Sequence, residues 1–158
     1  MTAPVLSCRG IVHDYEGTPA LRGVDLDVLE GEVVAVTGPS GSGKSTLLLC
    51  LAGILVPTEG SVSLSGIDLH ALGERGRAAL RRESMGMVFQ YGTLVPELTG
   101  DENVALPLLL AGRPRREALA VARECLERLG VGTVGRTTAG RMSGGERQRV
   151  ALARALIA

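Results

Sequence analysis

One stretch of this chain has the residue types and spacing for holding phosphate: Gly38-Pro39-Ser40-Gly41-Ser42-Gly43-Lys44-Ser45-Thr46. It fits the pattern G-x-x-x-x-G-K-[ST], the phosphate-binding loop. In such a loop successive backbone N–H groups converge on one anion, and glycine reaches the positive φ values this needs without strain. Gly43 is expected to open a helix whose N-terminal dipole also favours the phosphates. Lys44 would reach the β- and γ-phosphates and the Ser45 hydroxyl would hold Mg²⁺. Of the seventeen basic residues only Lys44 is a lysine, which points to a need for a compact ammonium rather than a guanidinium fork.

Three further places carry candidate chemistry, each with a plainer reading beside it. Tyr15 is one of three aromatic residues in the chain; a ring at a strand end either packs or stacks on a base. Gln90 closes an apolar run and is either a surface amide or a ligand. Ser143-Gly144-Gly145-Glu146 opens a helix with an S-x-x-E capping box. Two glycines in a first turn cost roughly 1 kcal/mol each against Ala, and they bare a positive helix end to an anion. Capping alone and anion contact both remain open at that point. The three cysteines (Cys8, Cys50, Cys125) and two histidines (His13, His70) lack metal-ligand spacing. They read as reduced core thiols of a cytosolic protein and as surface or strand histidines.

The elements that must position these residues follow from pattern. Val5 to Tyr15 reads as a strand with an irregularity at Cys8-Arg9-Gly10. A turn at Glu16-Gly17-Thr18-Pro19 leads to an alternating, half-buried antiparallel strand over Leu21 to Leu29. Val33 to Val36 is predicted as a buried strand feeding the loop, and Thr46 to Ala52 as a buried helix stopped by Gly53 and Pro57. Short strands are expected at 61–64 and 67–69 around Ser65-Gly66. A basic surface helix spans Arg75 to Glu83, and a buried strand Met85 to Phe89. Thr99 and Glu102 form a capping box opening a helix that Pro107 should kink or end. Pro114 starts the next at its first position, with Ala118, Ala122, Cys125 and Leu129 as its apolar face, Leu119 and Leu126 beside it, and Gly130 as its stop.

At 158 residues with 45% apolar and 22% charged residues, the chain has the composition of a globular domain that buries roughly 70% of its unfolded surface. Zero net charge argues against an electrostatic nucleic-acid or membrane surface. The longest apolar run, Leu47 to Val56, is too short to cross a bilayer, and no signal peptide is visible.

Taken together the pieces resemble the ATP-binding subunit of an ABC transporter, over about residues 5 to 158. Gly38 to Thr46 is similar to that family's Walker A loop, Tyr15 to its adenine-stacking aromatic and Gln90 to its Q-loop glutamine, which in the family meets Mg²⁺. Ser143 to Glu146 is similar to the signature loop. The segment from Phe89 to Pro107 resembles the branch serving lipoprotein-release, macrolide-export and antimicrobial-peptide permeases. The resemblance implies an α/β fold, a P-loop NTPase core of mixed sheet with an antiparallel β part, plus an inserted α-helical subdomain. It divides the chain into a nucleotide-binding core (1–98), the helical subdomain (99–141), and the signature loop and helix (142–158). It implies ATP and Mg²⁺ as cofactors, with Ser45 and Gln90 toward the metal. It also implies a second nucleotide-binding subunit, alike or different, whose ATP the signature loop would complete. The remaining implied partner is an integral membrane permease, with no nucleic acid, at the cytoplasmic face of the membrane. Met142 and Glu146 stand where Leu and Gln are commonest in the family. The Walker B Asp, the following Glu and the switch His are not found before Ala158. The chain is therefore expected to be an N-terminal fragment, inactive alone, fold-incomplete at its C-terminus, and no catalytic base is assigned. The rival readings are a soluble ABC-type ATPase not coupled to transport and a truncated module that binds nucleotide without hydrolysing it.

Overall fold

Two tight hairpins build the sheet. A computed structural model describes residues 3–89 and 94–157. Strand β1 (Leu6–Tyr15) turns through Glu16-Gly17 into β2 (Thr18–Val28). Both turn residues have positive φ, 52° and 84°, the geometry that matches the twist of the flanking strands. β3 (Glu59–Leu64) and β4 (Ile67–Asp68) are joined the same way through Ser65 and Gly66. The sheet is antiparallel in the order β2-β1-β3-β4. The expected irregularity at Cys8-Arg9-Gly10 is a register shift between Cys8 and Ile11. There the Gly10 N–H, freed from the ladder, donates to Asp25 Oδ1 at 2.7 Å. β2 starts at Thr18, three residues before the expected Leu21, and its Pro19 is tolerated because β2 is an edge strand.

Helix α1 (Lys44–Leu51) buries Thr46, Leu47, Cys50 and Leu51, a single stripe. These side chains share a buried set with Cys8, Ile11, Leu21, Val62, Leu64 and Leu69. Burial pushes the Cys8 and Cys50 thiols up, which makes them packing groups rather than nucleophiles. α1 ends in a Schellman turn: Gly53 (φ 61°) donates to Cys50 O, and Ile54 N to Leu49 O. Two expected buried strands are corrected here. Val33–Val36 and Met85–Phe89 carry no regular structure, and Val33 is 95% exposed. An apolar β-branched run becomes a strand only where a neighbour accepts and donates its backbone bonds, and no pairing to either run is present among the described residues.

The chain divides into two compact units, Met1–Arg81 and Arg82–Ala158, the boundary falling within the basic helix α2 (Glu74–Ser84). The second unit is helical: α3 (Gly100–Leu110), α4 (Arg115–Arg128) and α5 (Gly144–Leu156). Its core gathers Val104, Ala105, Leu108, Ala118, Ala122, Leu126, Val150 and Ala153. On α4 the fully buried line is Ala118, Ala122 and Leu126, while Cys125 and Leu129 are only partly buried; the two alanines let neighbouring helices approach. Pro107 sits inside α3, and the helix continues to Leu110. Pro114 caps α4 rather than filling its first position. Gly112 and Gly130 close α3 and α4 with the same Schellman pattern as Gly53. The fully buried Asn103 carboxamide accepts from Val95 N and donates to the carbonyls of Val95, Leu98 and Thr99, binding the preceding loop onto α3.

Candidate nucleotide-phosphate site

The loop Gly38–Thr46 wraps the start of α1 in the first unit. Gly38, Gly41 and Gly43 hold φ of 150°, 79° and 86°, values that L side chains rarely adopt. Gly43 is also hemmed in: a Cβ there would run into the Ala20 carbonyl oxygen and the Leu21 side chain. That carbonyl comes from a bulge. The pairing moves from His13↔Leu21 to Asp14↔Pro19, so Ala20 is the extra residue. Gly41, by contrast, would meet nothing within 4 Å; its glycine serves backbone conformation alone.

No side chain caps the first turn of α1, so its positive end is left to an external acceptor. The Lys44 ammonium turns back on its own loop, donating to Gly38 O at 2.8 Å and Pro39 O at 2.6 Å, with Ser42 Oγ at 3.4 Å. A phosphate oxygen competes well for these donors, because it meets the ammonium with a full negative charge where a carbonyl offers only a dipole. Ser45, next in line, is exposed. Thr46 is 8% exposed, and its Oγ1 lies 3.4 Å from the Tyr15 hydroxyl. The fold thus brings Tyr15, the last residue of β1, to the phosphate loop while leaving the residue 49% exposed.

In the second unit Ser143 is the N-cap of α5, and both halves of the capping box form. Glu146 Oε2 accepts from Ser143 N at 2.7 Å and from the Ser143 hydroxyl at 2.8 Å. The backbone and hydroxyl donors of Ser143 hold the Glu146 carboxyl below its ordinary value. A Cβ at Gly144 or Gly145 would meet open space. Neither packing nor positive φ demands glycine there, so what the two glycines leave clear is the approach to the helix end. Met142, beside them, is buried in the helical core. Gln90 lies outside the described residues. Sequence reasoning missed Ala20 as the neighbour that fixes Gly43, and His13 as a neighbour of Tyr15; the first depends on a bulge that no local pattern announces.

Comparison with known proteins places the chain in a family. Residues 21–158 match the family described as ABC transporter. The chain is 51% identical over 160 residues to the lipoprotein-releasing system ATP-binding protein LolD 2 of Caulobacter vibrioides, covering 99% of this chain and 70% of that protein. It is 48% identical to the LolD protein of Pseudomonas fluorescens, covering 97% and 69%. Among solved structures, the ATP-binding cassette MJ0796, dimeric and bound to ADP and Pi, superposes with a TM-score of 0.90 at 36% identity, covering 96% of this chain and 69% of that one.

Proposed function

Because this chain belongs to the ABC transporter family, we propose that it is the ATP-binding subunit that drives lipoprotein release through a membrane permease. Family membership makes it an ABC-type ATPase working with a permease; the lipoprotein cargo rests on its likeness to the LolD proteins. One observation carries the nucleotide reading: a loop with three glycines at positive φ leads into a helix without a side-chain cap, with the chain's one lysine turned into the loop. Such a nest of N–H groups and one ammonium suits a polyphosphate chain.

Each residue then has a role set by its place. Gly38 to Gly43 supply backbone N–H donors, and Lys44 neutralises the terminal phosphates. The Ser45 hydroxyl would hold Mg²⁺. Among the described residues no group of three or more His, Cys, Asp or Glu could bind a metal on its own, so Mg²⁺ would be recruited largely by the phosphates, in keeping with its preference for few protein ligands. When bound, that ion would neutralise negative charge on the phosphates. Tyr15 offers an exposed face for adenine, and Gln90 is assigned to the Q-loop. Ser143, Gly144 and Gly145 would donate to the γ-phosphate held by a second subunit. The rest of the assignment is topographic: residues 99–141 as the helical subdomain, 142–158 as the signature segment, and a cytoplasmic position against the permease. Among the described residues no helix is long and apolar enough to cross a membrane. Isothermal calorimetry tests the site: Lys44→Ala should weaken MgATP binding by roughly 10²-fold, in line with losing a desolvated charge-assisted contact. Unchanged affinity would overturn the phosphate-loop assignment.

A further inference from the structure

His13 and Tyr15 lie two apart on β1, on either side of the point where the Ala20 bulge of β2 shifts the pairing. Their rings meet edge-on, centroids 4.9 Å apart at 83°, the T-shaped arrangement that the aromatic quadrupole favours. His13 Nδ1 is nevertheless buried with no hydrogen-bond partner. A strand seeking only stability would put an apolar ring there, since an orphaned buried nitrogen has a desolvation cost and no return. The imidazole is kept where its one described ring contact is Tyr15. Tyr15 has a second restraint on its far end, the Thr46 hydroxyl at 3.4 Å. An exposed ring at a strand end would otherwise move among rotamers; the His13 ring bears directly on this one, and the long Thr46 contact adds a weaker tie.

We infer that His13 is a positioning residue that fixes the plane of the Tyr15 ring and so tunes affinity for the nucleoside part of the nucleotide, leaving the phosphate grip untouched. The inference rests on Tyr15 being the adenine platform. Holding the platform in place spares ordering entropy on binding.

The test is calorimetry with two probes, ATP and inorganic tripolyphosphate. His13→Ala should weaken ATP about fivefold, the scale of one edge-to-face contact, and leave tripolyphosphate unchanged. His13→Phe keeps an edge-on ring and should restore ATP binding to about the wild-type value. His13→Leu, which fills the space without a ring, should bind ATP like His13→Ala, and it serves if the alanine variant fails to fold. Equal losses for ATP and tripolyphosphate would mean a general structural defect and overturn the inference, as would a Leu variant that matches Phe. Tyr15→Ala separates the two layers. If it weakens ATP while His13→Ala does not, only the role of His13 falls; if it binds ATP normally, the adenine platform itself falls.

Discussion

At the scale of single residues, two glycines of one loop do different work. Gly43 needs both its φ of 86° and its missing Cβ, because the Ala20 carbonyl and the Leu21 side chain press on it. Gly41 has an equally positive φ but open space around it. Gly43→Ala should therefore destabilise the chain by about 2–4 kcal/mol, the left-handed penalty plus overpacking. Gly41→Ala should cost only about 1 kcal/mol. Denaturant unfolding of the two variants would check the contrast, and equal costs would mean that the Ala20 contact is relaxed without effect. The sequence motif made both glycines visible and could not tell them apart. What distinguishes them is a neighbour twenty-three residues upstream in the chain, delivered by a bulge in β2.

At the scale of elements, local signals were legible and pairing was not. Both capping boxes formed where Ser143 and Thr99 placed them, and Gly53 and Gly130 stopped their helices as expected, since caps and αL stops are decided within one turn. Val33–Val36 and Met85–Phe89 read as strands on composition alone, but a strand exists only with a partner. The caps also titrate. The Thr99 backbone and hydroxyl donors, then Arg115, hold the Glu102 carboxyl below its ordinary value of 4.5, and Ser143 does the same for Glu146. A carboxyl whose folded value is depressed contributes stability that is present above 4.5 and lost as pH falls through the lowered value. Helix content by circular dichroism should thus decline below pH 4.5 with a component that Glu102→Gln and Glu146→Gln remove. Gln keeps an acceptor in the box without titrating. An unaltered acid transition in the double variant would show that other carboxylates govern it.

At the scale of the whole molecule, the chain spans about 70% of the relatives it matches. Its two halves carry different parts of the proposed site: the phosphate loop and Tyr15 in one unit, Ser143 to Glu146 in the other. The MJ0796 cassette, whose structure is dimeric with ADP and Pi, supports a reading in which the second half of one copy completes the first half of another. In that reading the nucleotide lies between the two copies, so association should turn on it. Gly145 lets that reading be separated from helix stability. Its Cβ would meet open space, so Gly145→Ala should stabilise α5 by about 0.5–1 kcal/mol. If the helix end receives a partner's γ-phosphate, the same methyl obstructs that approach and ATP-dependent association should fall. Ser143→Arg should abolish association more completely while leaving MgATP affinity unchanged, because Lys44 and its loop lie in the other unit. Light scattering with and without ATP, beside thermal unfolding, reads both effects. A Gly145→Ala protein that is more stable and still associates normally would leave those glycines without a functional reason, and a Ser143→Arg protein that associates normally would remove the signature loop from the interface.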